Sequence, residues 1–243
     1  VTVASSDHAS SGFVSRKSEY KGTPFRVVET DLQKVQLTLH WKRVDGTPYE
    51  SLRALRESLQ SKNKRFLAAT NAGIYTKQMT PLGVHIERGK VLARANTSRG
   101  GGGNFFLKPN GVFFLTATGE AKILETTRFV DQMKHNKNKI LEATQSGPLL
   151  VENGKIHPRF TDGSVNRKIR SAIGVRNSRQ IVLAISEQPV NFHDFAVFLR
   201  DSLHCTDALY LDGTISSLLV GDELPQEFGI PFVGMIALIA KDR

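Results

Sequence analysis

Gln145-Ser146-Gly147-Pro148-Leu149-Leu150-Val151-Glu152-Asn153-Gly154-Lys155 is the stretch on which the reading of the fold turns. Its apolar run is too short for a helix, and it ends in Asn-Gly, a strong two-residue hairpin signal. Glu87-Arg88-Gly89-Lys90 and Lys108-Pro109-Asn110-Gly111 separate β-type runs in the same way, so three hairpins are expected. Further strands are expected at Phe25 to Glu29, Arg65 to Thr70, Gln180 to Ile185, Ala208 to Leu211 and Phe232 to Ala240. In Val35 to Trp41, the residues Val35, Leu37, Leu39 and Trp41 alternate onto one face.

Two helices interrupt this pattern. Leu52, Leu55 and Leu59 recur at helical spacing, and Phe192, Phe195, Ala196, Leu199 and Leu203 form an apolar stripe behind a candidate Asn191 N-cap. The fold class is therefore α+β with β in excess: a β-rich mixed sheet with hairpins and a few packed helices. No Pro- or Ser-rich linker divides the 243 residues, so one domain over 21–243 is expected behind a flexible segment, 1–20. Ser98 to Gly103 reads as a mobile loop.

Hydrophobic residues at 40% and charged residues at 23% are ordinary globular usage, and no apolar run approaches the roughly 20 residues of a membrane span. A single cysteine excludes an intramolecular disulfide framework and cysteine-based metal centres, and Cys205 reads as a buried, inert thiol. Seven histidines lie without ligand spacing, so neither zinc nor any cofactor is expected; an oxygen-ligated cation near Asp212 stays open. The net charge of +10 favours anionic partners. Nucleic acid is not expected: Lys134-His135-Asn136-Lys137-Asn138-Lys139 reads as a solvated loop, and the doublets Phe105-Phe106 and Phe113-Phe114 read as hairpin strands with one ring of each inward.

Two strand exits carry chemistry. Asn71 lies in Ala68-Ala69-Thr70-Asn71-Ala72-Gly73-Ile74-Tyr75 and Asp212 in Leu209-Tyr210-Leu211-Asp212-Gly213-Thr214-Ile215-Ser216-Ser217, each with a glycine close behind that lets a ligand approach the main chain. Either alone also reads as an Asx turn. With Gly147-Pro148-Leu149-Leu150-Val151 and Arg170-Ser171-Ala172-Ile173-Gly174 between them, these elements in this order resemble the phosphodiester glycosidase family, from about Phe66 onward. The resemblance implies a hydrolase cleaving a glycosyl-1-phosphodiester or related envelope glycan linkage, with a carbohydrate or sugar-phosphate substrate. It also implies a periplasmic or secreted setting, with a leader removed.

Such cleavage needs a carboxylate facing an oxocarbenium-like centre and a cation for the departing phosphate. Asp212 is the first candidate carboxylate and Glu187, at the exit of the strand before Pro189, the second. His193, at the helix start, is a candidate acid or base. Arg170, through a bidentate fork, is the candidate phosphate ligand. Asn71, Ser171, Gly147, Pro148, Gly213 and Ser216 are candidate substrate-binding residues. Two competing readings are a non-catalytic module binding a glycan or envelope polymer and, on charge alone, a nucleic-acid-binding protein.

Overall fold

The computed structural model describes residues 12–135, 139–213, 215–224 and 229–241. Strands, numbered in chain order, form three sheets. The first runs in the order β1 (Phe13–Tyr20), β2 (Thr23–Asp31), β13 (Gln180–Ser186), β12 (Ser171–Asn177), β14 (Asp207–Asp212), β10 (Leu149–Glu152) and β11 (Lys155–Ile156). The second is β15 (Leu218–Val220), β4 (Phe66–Asn71), β16 (Met235–Ala240) and β3 (Val35–His40). The third is β6 (Lys90–Ala93), β5 (His85–Glu87), β9 (Ile140–Ser146), β7 (Gly111–Thr116) and β8 (Ala121–Glu125).

Local chemistry sets these ladders. Lys21-Gly22, Arg88-Gly89 and Asn153-Gly154 each place two successive residues at positive φ, the two-residue turn whose twist matches flanking antiparallel strands. The described ladders are antiparallel throughout, where a mixed sheet was expected: hairpins form β1–β2, β5–β6 and β10–β11, and longer connections bring β2 to β13, β12 to β14 and β4 to β16 in the same antiparallel sense. The inward faces share one core, in which Leu37 and Leu39 of β3 meet Phe113, Ile173, Leu209 and Leu238.

Each sheet buries its outer face under a helix. Helix α1 (Leu52–Gln60) is capped by the Ser51 side chain and lays Leu52, Leu55 and Leu59 on the second sheet. Helix α2 (Thr126–His135) sets Phe129 against Phe114 of the third, with ring centroids 5.2 Å apart. Helix α3 (Phe192–Val197), capped by Asn191 as expected, continues into a π turn at Phe198–Ser202, and its Phe195 and Phe198 stack on Phe25 of the first.

Three expectations need correction. Residues 13–20, expected within the flexible segment, pair along their whole length with β2; residues 1–11 lie outside the described residues. Lys108-Pro109-Asn110-Gly111 is not a hairpin turn: a 3-10 turn at Asn104–Phe106 precedes it, and the Asn110 side chain bonds to Phe105 O, Thr126 Oγ1 and Lys108 Nζ. The Phe105-Phe106 doublet lies in that 3-10 turn and not in a hairpin strand, and Phe113 and Phe114 are both buried where one inward ring was expected, because α2 covers the outer face of β7; residues 136–138 of the Lys134 to Lys139 run lie outside the described residues. Strand β3 ends at His40, leaving Trp41 half-buried beyond it. Cys205 is buried as expected, and burial pushes its thiol up to about 12. No described helix is long and apolar enough to cross a membrane.

His40 is buried, and its Nε2 lies 2.8 Å from Thr38 Oγ1. Burial lowers its pKa to about 4, with Glu87 opposing and Arg88, Lys62 and His85 adding to the fall. A depressed folded pKa means that the unfolded chain takes up the proton first, so this contribution is complete above pH 6.5 and is lost as pH falls toward 4. The amount is on the order of 3 kcal/mol. The expected outcome is that urea midpoints of the wild type fall more steeply than those of His40→Gln between pH 6.5 and 4. Parallel slopes would contradict this assignment.

Candidate functional site

At one end of the shared core the three sheets are joined by short polar contacts. Asn71, the last residue of β4, donates from Nδ2 to Ser171 Oγ at 3.0 Å, and its Oδ1 accepts from Ser217 N at 3.2 Å. Ser171 opens β12 and is the register partner of Asp212, the last residue of β14. Ser146, closing β9, donates to Leu211 O at 3.2 Å, and Thr144 Oγ1 accepts from Gly73 N at 3.0 Å. A Cβ on Gly73 would overlap the Gln145 carbonyl, so the strand exit holds a glycine because another backbone lies against it.

This junction brings Asn71, Ser171, Asp212, Gly213 and Ser216 together. Asp212 is half-buried; its Oδ1 accepts from Gly213 N at 2.6 Å, and its carbonyl accepts from Ser216 Oγ at 2.7 Å. Thr214 lies outside the described residues. Burial and then the Asp212 charge raise the pKa of Tyr75. The Gly147-Pro148 pair lies beside the same strand, with Pro148 O accepting from Tyr210 N at 3.2 Å.

Arg170, one residue before β12, is 1% exposed. Its Nε donates to Val190 O at 2.8 Å and one terminal nitrogen, Nη2, to Asn166 O at 3.0 Å. The guanidinium carbon lies 3.7 Å from the Phe192 ring centroid and 5.6 Å from that of Tyr210. The other terminal nitrogen, Nη1, is buried with no hydrogen-bond partner of good geometry among the described residues, and the Tyr210 hydroxyl nearby favours the cation. Among the described residues no carboxylate pairs with this cation. Burial lowers its pKa, yet a guanidine starts so high that it stays protonated. The expected bidentate fork is corrected, because Nε and Nη2 are already committed to backbone carbonyls.

Tyr210 is the residue that sequence reasoning passed over. It precedes Asp212 by two positions on one strand, but the pairing with β12 shifts register between Ser171 and Ala172, so simple alternation along the sequence gives no signal for it. Burial holds its phenol far above the ordinary value, so it stays neutral, and its oxygen accepts from Asn104 Nδ2 at 3.3 Å. The O–H remains a donor beside the Arg170 guanidinium. Asn104 arrives at the end of the Gly100–Gly103 run, which gives that loop a place at the site.

Two expected participants stand apart. Glu187 is exposed and follows β13, two strands from β14, with its backbone N–H donating to Pro24 O. That lateral offset is about 10 Å at ordinary strand spacing. The His193 imidazole faces Asp162 and Asp194, with Nδ1 at 3.5 and 3.9 Å from their oxygens. These three groups have metal-ligand spacing, but Lys21 Nζ already lies 3.0 Å from Asp194 and 3.3 Å from Asp162.

This architecture is also seen in two solved structures. One is the zebrafish N-acetylglucosamine-1-phosphodiester alpha-N-acetylglucosaminidase catalytic domain, auto-inhibited by its pro-peptide. It matches over 95% of this chain and 82% of its own at a TM-score of 0.60 and 16% identity. The other, a hypothetical protein from Synechocystis, matches over 94% and 62% at a TM-score of 0.57 and 14% identity. Sequence goes further than fold. The phosphodiester glycosidase family profile matches residues 64–230, and the chain belongs to that family of glycosidase-like hydrolases. The uncharacterized protein YigE of Escherichia coli strain K12 is 36% identical over 210 residues, 86% of this chain and 79% of that protein.

A Cβ on Gly213 would overlap the Tyr210 hydroxyl. Gly213→Ala is therefore expected to lower the thermal midpoint, and Tyr210→Phe, by removing that oxygen, should restore most of the loss in the double variant. Additive effects of the two substitutions would show that the contact does not shape the site.

Proposed function

We propose that the chain hydrolyses the C1–O bond of a glycosyl-1-phosphodiester at the Asn71–Ser171–Asp212 junction. The observation that carries this reading is Arg170: a buried cation that has no carboxylate partner among the described residues and stands against the neutral Tyr210 hydroxyl, one strand position from the half-buried Asp212. An uncompensated buried charge costs several kcal/mol, and an anionic ligand seated beside it offsets that cost. Membership of a family of glycosidase-like hydrolases supports the reading.

In this reading the C1–O bond breaks with its electron pair going to the phosphate, which leaves as a phosphomonoester. Positive charge growing at C1 faces the Asp212 carboxylate. Water adds its oxygen to C1; one of its protons stays on the new sugar hydroxyl and the other is taken up by phosphomonoester or solvent. Arg170 acts from beneath by its field and through the neutral Tyr210 hydroxyl beside it. Asn71 and Ser171 are buried and bonded to each other, so they act as positioning residues that hold the exits of β4 and β12 in place around the reacting sugar. A phosphate leaving group is stable as an anion, which reduces the need for a strong general acid and fits the engagement of His193 elsewhere.

One observation favours a second reading, a glycan-binding module without turnover: the second expected carboxylate, Glu187, stands exposed two strands away. Asp212→Asn separates the two. The Gly213 N–H can still bond an amide oxygen, so the thermal midpoint should stay within a degree or two, while hydrolysis of a glycosyl-1-phosphodiester falls by roughly 10²-fold or more. Tyr210→Phe should fold and lose about tenfold or more in turnover. A wild type that binds the diester without cleaving it supports the module, and a fully active Asp212→Asn removes Asp212 from the chemistry.

A further inference from the structure

Along the outer edge of the second sheet lies a cleft of about 910 Å³, apart from the site just described. Its walls are β3, the loop after it, the end of α1 and the β5–β6 hairpin. Six cations converge on it: Lys42, Arg43, Lys62, Lys64, Arg88 and Lys90. Among the described lining residues the only carboxylate is Glu87, which is buried and is held by His85 Nε2 at 2.9 Å and by Arg88 at 3.4 Å. Lys42, Lys62 and Lys90 are exposed and make no ion pair among the described residues. Isolated surface lysines need no explanation; like charges gathered around a concavity repel one another and concentrate anions there.

We propose that this cleft binds the uncut remainder of a phosphate-bearing glycan, an assignment that rests on the function proposed above. Three features of the cleft select that ligand. The volume lies within the ~300–1,000 Å³ of small-ligand sites, which suits a few sugar units rather than a duplex. Of the aromatic rings on the cleft wall, Tyr49 and His40 are buried and Trp41, with Lys42 Nζ 4.2 Å from its ring centroid, is half-buried, a platform of the kind a sugar face covers; nucleic-acid strands are tracked by several platforms in series. The register also aligns the two places: Asn71 pairs with Met235, and Met235 with His40, which lines the cleft. The His40 end of the cleft therefore lies at the same sheet end as Asn71, two strand spacings or roughly 10 Å away. A chain bound there extends toward the junction.

The test uses the whole chain and fluorescent phosphorylated maltodextrin, with unphosphorylated maltodextrin and single-stranded DNA of equal phosphate number as comparisons. Binding is read by anisotropy at low salt for the wild type and for Lys42→Ala/Lys62→Ala/Lys90→Ala, with thermal midpoints as the check on folding. The expected result is that the triple variant binds phosphorylated maltodextrin about tenfold more weakly or worse, with a shallower salt dependence, and that the unphosphorylated chain binds poorly to both proteins. Unchanged binding by the triple variant overturns the proposal, as does equal binding of the unphosphorylated chain. Tighter binding of the DNA, lost in the same variant, overturns the glycan assignment in favour of nucleic acid. Turnover of a short glycosyl-1-phosphodiester, too small to reach the cleft, should be the same in wild type and triple variant. Its absence from both would defeat the catalytic reading alone, because the binding comparison stands without it.

Discussion

The Asn71 side chain joins the ends of two sheets, and the layout of the site follows from that joint. Its amide spends its capacity on the Ser171 hydroxyl, the Ser217 backbone and the Ala72 carbonyl, so the exits of β4 and β12 and the segment leading into β15 are held within hydrogen-bond length of one another. Ser146 and Thr144 bind the third sheet to the same end. A buried amide left half-satisfied would cost about 1–3 kcal/mol, so the network selects one arrangement of the three sheets rather than merely adding stability. Asp212 inherits its position from this joint through its pairing with Ser171.

Arg170 stands beside the joint as its electrostatic counterpart. The chain uses two backbone carbonyls and the Phe192 face to hold a guanidinium out of water, without the carboxylate that ordinarily accompanies a buried cation. Tyr210 and Gly213 depend on each other next to it, since the phenol occupies the space where a side chain on residue 213 would start. A neutral hydroxyl, a fixed cation and a half-buried carboxylate within a few residues form a preorganised polar environment, which water alone does not supply.

The hairpins at 87–90 and 152–155, both apolar helices and the order of the strands that carry Asn71, Ser171 and Asp212 are all legible in the chain, because each rests on local signals: Asn-Gly or Arg-Gly turns, capping residues and period. Helix α2 was not legible, since its first turn is capped by Glu125, whose carboxylate accepts from Thr127 and Arg128, and a glutamate is a weak N-cap signal. The 108–111 segment misled for the opposite reason: Asn110 has turn chemistry but spends its amide on tertiary bonds. Within the site, residues one strand apart were recoverable from motif order. Glu187 and His193 were not placed correctly, because lateral offset across a sheet and the facing of a helix are decided by packing that sequence spacing does not encode.

The central claim is that the site breaks the sugar–oxygen bond, with charge developing at carbon opposite Asp212. Hydrolysis of a glycosyl-1-phosphodiester in ¹⁸O-labelled water, with both products analysed by mass spectrometry, tests it most directly. The account predicts one labelled oxygen in the released sugar and none in the phosphomonoester. Label in the phosphomonoester would mean attack at phosphorus and would contradict it.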